Sequence, residues 1–163
     1  MISSNLNVLL IGETGTGKEL IFKAIRDGLK IDDSKCREIN CAELKGDMIA
    51  SELFGHVRGA FTGAIKDRDG LLKSCEGGVI FLDELGSLDE DSQAKLLRVI
   101  QECEIRKVGS DKTVKLKNKI RVIAATNEEK NLRTDLKWRF EKIIQIPPLR
   151  ERREDILVLV IHV

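Results

Sequence analysis

Gly12-Glu13-Thr14-Gly15-Thr16-Gly17-Lys18 directly follows the apolar run Asn7-Val8-Leu9-Leu10-Ile11. A strand that runs into a glycine-rich turn and then opens a helix aims successive backbone N–H groups, and the positive end of the helix dipole, into one concavity. Such a concavity suits a polyphosphate. Glycine at 12, 15 and 17 permits φ > 0 and close approach of phosphate oxygens, while Lys18 supplies a mobile charge for the β and γ phosphates. The general pattern places Ser or Thr after the lysine as a hydroxyl ligand for magnesium, but here Glu19 and then Leu20 follow. Taken alone, the segment also reads as an ordinary strand-to-helix turn.

A second site bears on that choice. Gly77-Gly78-Val79-Ile80-Phe81-Leu82-Asp83-Glu84 reads as a strand buried on both faces, with the acidic pair where the chain leaves the sheet. Open α/β sheets bind ligands at the carboxyl ends of their strands. Beside a phosphate loop the pair divides the labour: Asp83 holds magnesium through its waters and Glu84 polarises an attacking water. The competing reading makes them solvated carboxylates that cap the next helix.

The 163 residues suit one domain with its own core, and 28 basic against 27 acidic residues leave a net charge of +1. No global field advertises nucleic-acid or membrane binding. No stretch reaches the roughly 18 apolar residues of a membrane span, and no signal-peptide pattern opens the chain, so a cytoplasmic location is expected. Cys36, Cys41, Cys75 and Cys103 form no C-x-x-C pair, and only His56 and His162 could assist as imidazole ligands. Free thiols are therefore expected rather than a zinc site.

The elements that must position these groups alternate between strand and helix. A helix is expected from about Gly17 to Arg26, stopped by Gly28, then a short strand Arg37–Asn40 with Asn40 at its exit. Asn40 reads equally as a turn-forming residue. A helix over Asp47–Leu53 precedes a glycine-punctuated polar stretch around Ala60-Phe61-Thr62, in which Phe61 is either an exposed contact element or a buried anchor. Asp89-Glu90-Asp91 loads the start of a helix striped by Leu96, Leu97, Val99 and Ile100. Ile105–Leu116, turned at Gly109-Ser110-Asp111, reads as a hairpin bearing Lys107, Lys112 and Lys115, with Lys117 just beyond. A buried strand Lys119–Ala125 ends in Thr126-Asn127, which could sense the γ-phosphate or orient water. A helix over Leu132–Phe140 carries Arg133 and Arg139, and Ile143–Ile146 is the last strand before Pro147-Pro148. The order predicts an α/β fold, a doubly wound parallel sheet of about five strands with helices on both faces.

Ser51-Glu52-Leu53-Phe54-Gly55-His56, followed by Gly59-Ala60-Phe61-Thr62-Gly63-Ala64, closely resembles the hallmark loop of the bacterial enhancer-binding proteins, the AAA+ ATPases that activate sigma-54 RNA polymerase. The six-residue loop motif is highly specific to that family. The family's phosphate loop shares the Gly-Lys-Glu ending seen here at Glu19. Leu96-Leu97-Arg98-Val99-Ile100-Gln101, Ala124-Ala125-Thr126-Asn127 and Pro147-Pro148-Leu149-Arg150-Glu151-Arg152 fall in the family's order, so the resemblance covers essentially the whole chain.

The resemblance implies a P-loop NTPase of the AAA+ large-subdomain type, assembled as a homo-oligomeric ring, usually a hexamer, with ATP sites between subunits. It makes ATP and Mg2+ the cofactors, with Lys18 and the loop from Gly12 to Leu20 on the phosphates and Asp83 on the metal. Glu84 would activate water, Asn40 restrain it, and Asn127 serve with Thr126 as sensor. Arg133 and Arg139 resemble arginine fingers acting on the neighbour's γ-phosphate; by composition alone they would be surface ion pairs. Gly59, Ala60, Phe61, Thr62, Gly63 and Ala64 would contact the sigma-54 RNA polymerase holoenzyme, and promoter DNA indirectly.

The sequence stops at Val163, just after Arg153-Glu154-Asp155-Ile156 begins a helix, so the family's helical lid, sensory domain and DNA-binding domain have no counterpart in it. A fragment or truncated product is expected. The alternative to an ATPase core is then a nucleotide-binding or partner-contact module without hydrolysis. A small-molecule or nucleoside kinase would share the phosphate loop but leave the Phe61 loop and the two late arginines without a purpose.

Overall fold

The computed structural model describes residues 6–29, 31–44 and 46–155. Strand β1 (Val8–Ile11) leads through the glycine loop into α1 (Lys18–Leu29), followed by β2 (Cys36–Asn40) and α2 (Asp47–Phe54). A small antiparallel pair, β3 (Gly55–His56) and β4 (Arg68–Asp69), precedes α3 (Leu71–Ser74) and β5 (Val79–Asp83). Then come α4 (Glu90–Glu102), the hairpin strands β6 (Glu104–Arg106) and β7 (Thr113–Lys115), β8 (Arg121–Thr126), α5 (Thr134–Lys137) and β9 (Lys142–Gln145). No helix among the described residues is long and apolar enough to cross a membrane.

The main sheet has five strands in the order β2-β5-β8-β1-β9, all parallel. Successive strand residues face opposite sides, and the two sides feed two cores. Leu9, Ile80, Leu82, Val122 and Ala124 pack with residues of α2, α4 and α5; Val8, Leu10, Val79, Phe81, Ile123 and Ala125 pack with Phe22 of α1. Phe22 stacks on Phe81 with centroids 4.4 Å apart and planes 7° from parallel. The doubly wound architecture expected from the sequence is present.

Two local expectations fail for identifiable reasons. Gly28 does not stop α1, which runs on to Leu29; the apolar anchors Ile21, Phe22 and Ile25 hold the helix to the sheet, and a glycine near its end costs only about 1 kcal/mol. The helix expected over Leu132–Phe140 shrinks to Thr134–Lys137, after a 3-10 turn at Glu129–Asn131. Gln93 of α4 takes the place of helical hydrogen bonds there: its amide nitrogen donates to Asn131 O at 2.9 Å and its oxygen accepts from Arg133 N at 2.8 Å. The Asp89 expectation holds, since its carboxylate caps α4 by accepting from Ser92 N at 2.7 Å. The helix expected from Arg153 through Ile156 lies largely outside the described residues, as does His162.

Arg121 opens β8 with a side chain only 6% exposed, and its Nε and Nη1 have no hydrogen-bond partner among the described residues. Burying two guanidinium nitrogens with no partner among the described residues is destabilising relative to an apolar side chain of similar length. Arg121→Met should therefore raise the thermal midpoint, by about 2–4 °C for each kcal/mol recovered. Calorimetry checks this; a lower midpoint would reveal a partner for the guanidinium.

Candidate active site

The strand exits expected to carry chemistry fall on one rim. Ile11 is level with Thr126, Asn40 with Asp83, and Leu82 with Ala124, so the glycine loop, Asn40, Asp83-Glu84 and Thr126-Asn127 share the carboxyl edge of the sheet. The loop is tied to that rim at two points. Gly12 N donates to Thr126 O at 3.1 Å, and Asn127 Nδ2 donates to Thr14 Oγ1 at 3.3 Å.

Within the loop, Gly15 and Gly17 adopt φ of 81° and 85°, a region costly for other residues. Gly12 is needed for a different reason than the sequence suggested. Its φ is not positive; a Cβ there would approach Ile146 O and Thr16 Oγ1 to 2.9 Å each. Lys18 is likewise not the mobile charge expected. It is 7% exposed, and its Nζ donates to Gly12 O at 2.9 Å and Glu13 O at 3.1 Å. Thr16 Oγ1 adds a bond to Glu13 O at 2.8 Å. The ammonium thus braces the loop from within, while the N–H groups of Gly15, Gly17 and Lys18 donate to no backbone oxygen among the described residues. Free amides, a buried cation and the start of a twelve-residue helix together make an anion cradle. Glu19 and Leu20 are exposed on the first turn of that helix.

The acidic pair does not cap a helix. Glu84 precedes the 3-10 turn Leu85–Ser87 with no side-chain capping bond, and Asp89 performs the capping of α4 instead. Asp83 Oδ1 accepts from Glu84 N at 2.9 Å. Glu84 itself sits in the left-handed region, φ 49° and ψ 47°, a conformation that costs a non-glycine residue about 1 kcal/mol or more and collects at functional sites. Among the described residues no three His, Cys, Asp or Glu side chains converge to hold a metal unaided. One carboxylate, Asp83, fits the way magnesium is held when phosphates and waters complete its shell. Next to the pair, burial and then the charges of Asp83 and Glu84 push the Cys41 thiol up to about 12, and burial does the same for Cys75. All four cysteines are free.

Asn40 combines both of its readings. It ends β2 level with Asp83, and its Oδ1 accepts from Ala42 N at 2.9 Å in a local turn. Thr126 is fully buried, its Oγ1 accepting from Glu128 N at 3.1 Å.

Three groups of residues lie away from the rim's own hydrogen bonds. Arg133 closes a fork on Asp135 at 3.1 and 2.7 Å. Arg139 lies beside Gln101, whose amide oxygen, correctly oriented, accepts from Nη2 at 2.7 Å. Neither arginine bonds to the glycine loop or the acidic pair. The third group is the loop from Gly59 to Ala64, closed by Gly59 N to Ala64 O at 2.8 Å and Ala64 N to Phe61 O at 3.0 Å. Phe61 is half-buried rather than exposed, edge-on to the His56 ring at 5.0 Å. His56 Nδ1 in turn lies 2.7 Å from Ser51 Oγ. Ala64 is buried, whereas Thr62 and Gly63 are exposed.

Sequence reasoning passed over two residues that touch the loop. Arg150 binds the Glu13 carboxylate through both Nη atoms, at 2.7 and 2.8 Å, and Arg152 Nη2 donates to Thr16 O. Their only signal was membership of the segment Pro147–Arg152 directly after the last strand, which lies beside β1.

A family model of the sigma-54 interaction domain matches residues 1–145. The chain belongs to this family. This sigma-54 interaction domain is 46% identical over 164 residues to the anaerobic nitric oxide reductase transcription regulator NorR of Citrobacter koseri, covering 96% of the chain and 32% of the regulator. The chain thus spans about a third of the length of that relative. NtrX from Brucella abortus in complex with ADP superposes with a TM-score of 0.83 at 29% identity, over 98% of this chain and 36% of NtrX. NtrX in complex with ATP gives 0.79 at 30% identity, over 98% and 37%. The fold is that of the AAA+ P-loop NTPases.

Proposed function

We propose that this domain binds ATP with magnesium and hydrolyses it, as the motor of a sigma-54-dependent transcriptional activator that remodels the closed promoter complex. The observation that carries the proposal is the convergence on one rim of the anion cradle, the Asp83-Glu84 pair and Asn127, with Asn127 already bonded to the loop at Thr14. The ADP and ATP complexes of NtrX support a nucleotide in this fold.

In this reading the amides of Gly15, Gly17 and Lys18, with the Lys18 ammonium, hold the phosphates. Asp83 serves the magnesium ion, which when bound neutralises charge on the phosphate oxygens. Glu84 takes a proton from the attacking water as its oxygen bonds to the γ-phosphorus and the bond to ADP breaks. Asn40, one strand away, holds Glu84 in check, and Asn127 senses the γ-phosphate through its tie to Thr14. The sites lie between subunits of a homo-oligomeric ring, a hexamer, in which Arg133 and Arg139 act on the neighbour's nucleotide. The protein works in the cytoplasm.

Turnover moves the loop from Gly59 to Ala64 against the sigma-54 RNA polymerase holoenzyme, with promoter DNA engaged through that complex. The ATP turnover of purified protein should rise per subunit with concentration; a concentration-independent monomer rate would contradict shared sites. Phe61→Ala should leave ATP turnover within about twofold and weaken nucleotide-dependent binding to sigma-54 at least about tenfold, the scale of an aromatic anchor. Binding assays with purified sigma-54 decide it, and undiminished affinity would place the contact on another face.

A further inference from the structure

Glu13 sets a carboxylate on a loop whose other features favour an anion. The Arg150 guanidinium beside it holds that carboxyl below its usual range, so near neutral pH Glu13 is charged and only a counter-charge can neutralise it. Arg150 supplies one through a two-pronged bond at 2.7 and 2.8 Å. Both side chains are more than half exposed, so the pair adds little to fold stability. Its consequence lies in the field at the mouth of the phosphate cradle, where an uncompensated negative charge would repel a polyphosphate.

The position of Arg150 follows from the topology. β9 lies beside β1 in parallel, and Ile146 N donates to Ile11 O at 2.8 Å, so the chain leaves β9 next to the root of the glycine loop. Pro147-Pro148 then leads into the short turn Leu149–Glu151. From this strap Arg150 reaches Glu13 and Arg152 reaches Thr16 O, while Arg152 Nε is anchored on Pro147 O at 3.1 Å. Lys18 braces the loop from inside, and the strap braces it from outside.

We propose that Arg150 is a positioning residue that sets nucleotide affinity by cancelling the charge of Glu13 at the mouth of the loop. The inference rests on the nucleotide-binding reading above. It goes beyond that reading by making the segment that follows β9 a determinant of phosphate-loop affinity.

The test is titration of wild-type, Arg150→Gln, Arg150→Lys and Glu13→Gln/Arg150→Gln proteins with a fluorescent ATP analogue at two ionic strengths. Arg150→Gln is expected to weaken binding about three- to tenfold, with the loss shrinking as salt screens it. Arg150→Lys should retain most of the affinity, and the double variant should return to within about twofold of wild type because the repelling carboxylate is gone as well. In turnover the Arg150→Gln defect should appear in KM with kcat unchanged. An unchanged affinity for Arg150→Gln, or a double variant as weak as the single one, would overturn the inference and leave the nucleotide reading intact. Wild-type protein that binds no analogue would overturn both.

Discussion

Glu84→Gln should slow ATP hydrolysis about a hundred- to ten-thousandfold and leave ATP affinity within a few-fold of wild type. Gln keeps the length of the side chain and one acceptor oxygen, but it cannot take a proton from water. The surrounding geometry does not depend on the carboxylate. The backbone N–H of residue 84 donates to Asp83 Oδ1, and no side-chain capping bond from Glu84 is lost. Gln can also occupy the left-handed conformation at the same cost. Phosphate release measured beside equilibrium nucleotide binding separates the two effects. A variant that retained more than about a tenth of the wild-type rate would remove Glu84 from the chemistry and return the acidic pair to a structural role.

The sheet and the rim were legible because they rest on local signals. Val79–Leu82 is apolar on both faces and buried throughout, and a strand of that kind belongs in a parallel sheet. Glycine spacing after β1 marked the loop, and the exits of β2, β5 and β8 followed from the parallel topology. What escaped the reading depends on partners remote in sequence. Nothing near Glu13 announces Arg150, 137 residues away, and nothing around Leu132 shows that Gln93 will replace the hydrogen bonds of a longer helix. The inward fold of Lys18 depends on two carbonyl oxygens of the loop it belongs to. The left-handed turn at Glu84 was equally hidden, since periodicity reports burial and not the sign of φ.

These misses share a direction. Apart from the Gln93 bonds, each concerns how the loop and the acidic pair are held. Lys18 within the loop, Arg150 and Arg152 on the strap outside it, and Asn127 at Thr14 form restraints from three separate segments of the chain. A rim restrained from several segments can respond as a unit when phosphate charge enters the cradle. The loop from Gly59 to Ala64 bonds to none of these groups; it follows α2, which ends at Phe54 immediately before β3, and its base is bonded to Val108 through Val57 N and Gly55 O.

Arg133→Ala and Arg139→Ala should each lower turnover about a thousandfold and leave nucleotide binding largely intact, and mixing should recover part of the lost activity. Neither guanidinium bonds to the rim of its own chain: Arg133 is held by Asp135 and Arg139 lies beside Gln101. Beside Arg139, Trp138 is 72% exposed, an apolar surface of the kind that interfaces cover. In a ring with head-to-tail contacts, one chain's arginines meet the next chain's phosphates. Subunits carrying Arg139→Ala retain Glu84, and subunits carrying Glu84→Gln retain Arg139. A site formed by the first receiving an arginine from the second is complete. Random equimolar mixing makes such a site at about a quarter of the interfaces, so the mixture should run at about a quarter of the wild-type rate although each component is inactive. If the arginines act within their own chain, no mixed interface is complete, and the mixture will turn over no faster than the mean of its parts.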